Sequence, residues 1–68
     1  MLMQAYDQNG NHIGTFDGEY VYNLSGQTLC RVDGDEVYST EIPAKYIGVY
    51  EDNLISNLSG TTMYSMQT

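Results

Sequence analysis

The segment DGEYVY at residues 17–22 returns as DGDEVY at residues 33–38. Self-similarity at short period constrains a fold more than local propensity does. Each repeat must form one supersecondary unit, and its neighbours must complete that unit's core. Two periods overlap in this chain. At a shift of 34, IGTFDGEYVYNLSGQTL (13–29) lies over IGVYEDNLISNLSGTTM (47–63), with Ile, Gly, Asn, Leu, Ser, Gly and Thr coinciding. At a shift of 16, Gly10, Ile13, Phe16, Asp17, Gly18, Val21 and Tyr22 lie over Gly26, Leu29, Val32, Asp33, Gly34, Val37 and Tyr38. The chain therefore reads as four units of about 17 residues, the product of two rounds of duplication.

Turn signals fall at eight-residue intervals: Asn9-Gly10, Asp17-Gly18, Ser25-Gly26 and Asp33-Gly34, with Asp52 and Gly60 continuing after two extra residues around EIPA (41–44). Asn-Gly and Asp-Gly favour two-residue type I′ hairpin turns, which need φ > 0 at both central positions. The segments between them, such as EYVYNL and QTLCRV, have the length and the Val, Tyr, Thr and Leu content of strands. No window carries apolar residues at helical spacing, so no helix is expected. The turn glycines Gly10, Gly18, Gly26, Gly34 and Gly60 are assigned a structural role.

The third residue after each turn is aliphatic: Ile13, Val21, Leu29, Val37, Ile55 and Met63. The sixth is apolar: Phe16, Leu24, Val32, Tyr50, Leu58 and Met66. These positions have opposite parity, so a flat strand would send them to opposite faces. Either both faces are partly covered or each hairpin twists or bulges near its middle. Strongly twisted hairpins meeting around a common axis satisfy the pattern, with about eight short antiparallel strands in all. The terminal segments MLMQAYDQ and TTMYSMQT each carry one strand, and pairing them would complete the fourth hairpin and bring Met1 beside Thr68.

This Gly-x-x-aliphatic hairpin unit, repeated four times over the whole chain, resembles the four-fold β-flower domains of small bacterial proteins. The third unit departs by replacing Asp-Gly with Glu51-Asp52-Asn53. The resemblance implies a fold and no activity. YDQNGNHIG (6–14) is also similar to one YD repeat of bacterial toxin shells, but no other unit keeps the Tyr-Asp pair.

The 68 residues form one domain, small enough to need a staple or a partner. Cys30 is the sole cysteine, which excludes an internal disulfide and makes oligomerisation the expected staple. Nine acids against Arg31 and Lys45 give a formal charge of −7. Nucleic acid and anionic membrane surfaces are therefore not expected partners, since both are bound through Lys and Arg. No apolar run approaches a membrane span or a signal peptide, and a cytoplasmic protein is expected.

Candidate chemistry is sparse. Asp7-x-Asn9-x-Asn11 matches the start of a calcium loop, but His12 and Gly18 stand where that loop needs Gly and Glu. His12 has no second His or Cys to work with and reads as a bystander. Asp33, Asp35, Glu36 and Glu41 cluster in sequence, and on hairpin tips they read as solvated charge guarding strand edges. Cys30 takes the place held by Tyr22 and Tyr38 in adjacent segments and reads as a packing residue. No catalytic residue, metal site or cofactor is expected. The seven tyrosines are the most informative feature, because tyrosine joins an apolar body to a hydroxyl at low entropic cost. Tyr20, Tyr22, Tyr38, Tyr46, Tyr50 and Tyr64 are candidates for an interaction surface. The expected function is a non-enzymatic module that self-associates or binds another protein. The alternative is a small-ligand or glycan binder using tyrosines and carboxylates.

Overall fold

A computed structural model describes residues 2–68; Met1, and with it the expected meeting of Met1 and Thr68, lies outside the described residues. Eight strands follow in order: β1 Met3–Asp7, β2 His12–Phe16, β3 Tyr20–Asn23, β4 Thr28–Asp33, β5 Glu36–Tyr38, β6 Tyr46–Glu51, β7 Leu54–Asn57 and β8 Thr62–Gln67. Each pairs antiparallel with its sequence neighbours, and β1 pairs with β8 to close a barrel. The closing seam runs from Gln4 opposite Gln67 to Asp7 opposite Tyr64, so the terminal strands form the fourth hairpin. Closure leaves no free sheet edge, and the acids have no edge to guard.

The parity conflict is resolved by four β-bulges at equivalent places. Ala5 opposes Gly14 while Tyr6 opposes His12, leaving Ile13 as the extra residue. Leu29, Ile47 and Met63 are skipped in the same way opposite β3, β5 and β7. A bulge bends the strand and reverses parity beyond it. The aliphatic third residue therefore plays two roles in alternation. Val21, Val37 and Ile55 are fully buried, with Ala5 completing their set, whereas Ile13, Leu29, Ile47 and Met63 are bulge residues packed at the core's margin.

The same alternation divides the sixth-position residues. Phe16, Val32 and Met66 are buried and Tyr50 packs against them, but Leu24 and Leu58 stand exposed on turns. The sixth position, apolar throughout, thus serves the core in four places and a turn tip in two. Cys30 is also reassigned. Its counterparts are Gly14, Gly48 and Tyr64, which face inward, whereas Tyr22 and Tyr38 face out. Burial of Cys30 agrees with the packing role.

An eight-stranded barrel has an interior just wide enough for side chains to fill. Here small and large alternate around one layer: Gly14, Cys30, Gly48, Tyr64. Phe16 and Tyr50, on opposite sides of the barrel, bring their rings within 5.4 Å in a tilted arrangement. That geometry suits the quadrupoles of both rings.

Alternate connections lie at opposite ends of the barrel. At one end, β2–β3, β4–β5 and β6–β7 are joined by two-residue loops. Gly18 (φ 100°) and Gly34 (φ 65°) have positive φ, but Glu19 and Asp35 do not, which is the type II′ pattern and corrects the I′ assignment. The type I′ turn belongs instead to the departing unit, where Asp52 (54°) and Asn53 (62°) are both positive. Each of these tips is tied to the next unit. The Val32, Tyr50 and Met66 N–H groups donate to the carbonyls of Glu19, Asp35 and Asn53 at 2.6, 2.8 and 2.8 Å.

At the other end the turns are longer than the dipeptides imply. Gln8-Asn9-Gly10, Leu24-Ser25-Gly26 and Leu58-Ser59-Gly60 are three-residue loops whose glycine takes the left-handed conformation. Each is closed by one side chain. The Asp7, Asn23 and Asn57 Oδ1 atoms each accept two backbone N–H groups, two and four residues on, at 2.9–3.0 Å. The Asp7-x-Asn9-x-Asn11 pattern is thus an Asx turn. The fourth loop, between β5 and β6, is longer and is closed by Ser39, whose Oγ accepts from the Lys45 N–H at 3.0 Å.

Candidate functional site

Two features of the surface stand out, and both follow from the up-and-down topology. The first is axial polarity. Asp17, Glu19, Asp33, Asp35, Glu36, Glu51 and Asp52, seven of the nine acids, sit on or beside the type I′ and II′ turns at one end. The opposite end carries exposed aliphatic tips: Leu24 (69% exposed), Ile42 (100%) and Leu58 (60%). These residues occupy three of the four loops there, with Gln8 in the fourth. Behind the tips, Ile13, Leu24, Leu29 and Tyr64, with His12 and Asn23, line a hollow of about 430 Å³.

Two carboxylates at the acidic end are held by hydrogen bonds, Asp17 and Glu36. Asp17 Oδ1 accepts the Glu19 and Tyr20 N–H groups at 2.9 and 2.7 Å, and Oδ2 accepts the Tyr22 hydroxyl at 3.0 Å. The Tyr20 and Glu19 backbone bonds hold the Asp17 carboxyl below its ordinary range. Glu36 accepts the Tyr38 hydroxyl at 2.7 Å, which pushes that phenol up. Glu41 sits apart from Asp33, Asp35 and Glu36, on the β5–β6 loop with Lys45 at 3.4 Å. The four acids adjacent in sequence are thus split between the two ends.

The second feature is an aromatic strip on the outer wall. In a barrel, residues flanking an inward side chain point outward. Tyr20, Arg31 and Tyr38 therefore lie in register across β3, β4 and β5. The Arg31 guanidinium carbon stands 5.4 Å from the centre of the Tyr38 ring, within cation–π reach. Its ion pairs are loose, with Glu19 at 4.0 Å and Asp33 at 3.9 Å. Tyr22 adjoins Tyr20 (6.2 Å between centres), and Tyr46 adjoins Tyr38 (5.9 Å). Beside the strip, Tyr20, Thr28, Arg31, Ser39, Thr40, Glu41 and Ala44 bound a groove of about 310 Å³.

The six candidate tyrosines do not share one surface. Tyr20, Tyr22, Tyr38 and Tyr46 gather on the β3–β6 wall, whereas Tyr50 and Tyr64 pack against the core. Tyr50 reaches out only through its hydroxyl, which donates to Asn53 at 2.9 Å. Burial pushes the Tyr64 phenol up.

Burial also pushes the Cys30 thiol up to about 11, which leaves the thiolate unformed at neutral pH. His12 is exposed, bonded to Gln4 at 2.7 Å and packed on Tyr6. Among the described residues, no group of three or more His, Cys, Asp or Glu is placed to hold a metal. No helix in the described residues is long and apolar enough to cross a membrane.

Sequence reasoning missed the aliphatic tips, having noted Leu24 and Leu58 only as apolar sixth-position residues whose face was left open. The available signal was the Asn-Leu-Ser-Gly tetrapeptide at 23–26 and 57–60, a turn in which the second residue must stand at the tip. It also missed Gly14 and Gly48, whose signal was a repeated Ile-Gly inside a strand pattern.

A comparison with known families matches residues 3–68 to the model described as "4-fold beta flower protein". No curated protein and no solved structure matches at a significant level.

Proposed function

The chain belongs to the four-fold β-flower family, and from that premise we propose that it is a non-enzymatic interaction module that associates with itself. The observation that carries this reading is that Leu24, Ile42 and Leu58, the three most exposed large aliphatics, stand at the end opposite seven of the nine acids, with Leu2 and Leu54 the exceptions at the acidic end. Three exposed large aliphatics on the loops of one end of a 68-residue protein support an association surface there. A second copy is the occupant that the charge pattern favours. When two aliphatic ends meet, the acidic ends point away from one another, separated by two barrel lengths. The smallest extent of the barrel is 20 Å, so this separation far exceeds a Debye length of about 8 Å. Side-to-side or tail-to-tail contact would instead bring like charges together.

The size of the end limits the strength. The whole molecule measures 27 × 24 × 20 Å, so one end of it offers less than the ~800 Å² per partner of a standard interface. A reversible dimer is expected, not an obligate one. Sedimentation across concentrations tests the reading: dimer should appear toward about 100 μM and vanish in the double variant Leu24→Ser, Leu58→Ser. A wild-type chain that stays monomeric throughout that range at physiological salt rejects it.

A further inference from the structure

In a duplicated chain, residues that the fold requires recur in every unit, and a place where several units' rules are broken together is free to serve something else. Three departures converge on the groove beside β3 and β4. The first is the β5–β6 loop, residues 40–44, where the other three loops at that end have three residues. The second is Arg31, the sole arginine, whose counterparts are Thr15, Val49 and Ser65. The third is Tyr20, whose counterparts are Gln4, Glu36 and Leu54. The long loop supplies one wall with Ser39, Thr40, Glu41 and Ala44, and the strands supply Tyr20, Thr28 and Arg31. None of this is needed to close the barrel, since three other hairpins close without it.

We propose that this groove is a binding site for a single uncharged sugar ring. The Tyr20 ring is a platform for the apolar face of a pyranose, and its contact with Tyr22, 6.2 Å between ring centres, fixes its tilt. Arg31 is held over Tyr38 but bonded to Glu19 and Asp33 only at the limit of ion pairing. Its N–H donors are therefore available to sugar hydroxyls. Glu41 and the hydroxyls of Thr28, Ser39 and Thr40 supply acceptors and further donors along the rim. Two carboxylates beside the one guanidinium, in a chain of charge −7, disfavour an anionic ligand. Hydroxyl-lined walls disfavour a purely apolar one. At about 310 Å³ the groove holds one ring, and because it lies open to solvent a millimolar affinity is expected.

The site is distinct from the aliphatic end, so the test is made on the Leu24→Ser, Leu58→Ser variant, where self-association is removed. Amide-resolved NMR follows titration with the methyl glycosides of glucose, galactose, mannose and N-acetylglucosamine, each also as a trisaccharide. At least one sugar should shift the amides of Tyr20, Thr28, Arg31 and residues 39–44, saturating in the millimolar range. Tyr20→Ala and Arg31→Gln should each weaken that response at least tenfold while the remaining amides keep their positions. A response to the trisaccharide alone assigns the site to glycan ends, and an equal response to the monosaccharide assigns it to free sugar. No saturable shift with any of the eight compounds, or shifts that survive both substitutions, overturns the proposal.

Discussion

Gly14 and Gly48 are held by contact, not by conformation. Neither has a positive φ, yet a Cβ on Gly14 would overlap the Tyr22 carbonyl, and one on Gly48 would overlap that of Ser56. Both clashes are with backbone, which cannot swing aside as a side chain can. Gly10 is the opposite case, with open space around it but φ at 81°. Gly14→Ala should therefore cost about 3 kcal/mol or more, as a clash in a filled barrel does. Gly10→Ala should cost about 1–2 kcal/mol, the penalty of a left-handed residue. Urea denaturation of the two variants measures both, and equal losses would show that the close approach at Gly14 relaxes freely. The counterparts of Gly14 and Gly48 in the alternate units are Cys30, which is buried in the core, and Tyr64, which packs against it.

At the scale of the hairpin, five of the seven turns are organised by one side chain that satisfies N–H groups the strands cannot: Asp7, Asp17, Asn23, Ser39 and Asn57. Asp17 does this at the β2–β3 turn with a charge. Its folded carboxyl titrates below the 3.8 of the unfolded chain, because the backbone N–H groups of Tyr20 and Glu19 favour the ionised form. A depressed acid contributes stability that is complete above the unfolded value and is lost as pH falls through the folded one. Melting temperature should therefore drop as pH falls below about 4, and Asp17→Asn should flatten that drop while keeping most of the stability at pH 7. Asp17 is well exposed, so the effect is a small part of the total. An acid limb identical in wild type and variant would show that Asp17 does not contribute. The sequence marks all these turn sites through their Asp, Asn and Gly. It does not mark their lengths, because whether Asn9-Gly10 spans two residues or closes a three-residue loop depends on the bulge at Ile13, a property of two strands together.

For the whole molecule, closure through β1 and β8 makes stability indivisible. Ala5 is fully buried between Gly14 and Met66, so the first strand is a wall of the core. Deleting residues 1–6 removes that wall and leaves two strands with unpaired backbone edges. The truncated chain should fail to melt cooperatively, as read by circular dichroism. A truncation that melts as high and as sharply as the full chain would refute closure as the source of stability.

What the sequence determined is the number of units, the positions of reversal and the closing of the ring. Those follow from local rules repeated four times: a turn dipeptide needs positive φ, six apolar-rich residues extend, and unpaired strands seek partners. What only the tertiary structure decided is which apolar residues face inward. Leu24 and Val32 occupy the same place in the repeat, yet one is exposed on a turn and the other is buried. The difference is a bulge that reverses parity in every second strand, and a bulge is visible only where two strands lie side by side. The same holds for the surface. Seven of the nine acids alternate along the chain with Leu24, Ile42 and Leu58, and it is the alternation of strand direction that sends the two sets to opposite ends of the barrel.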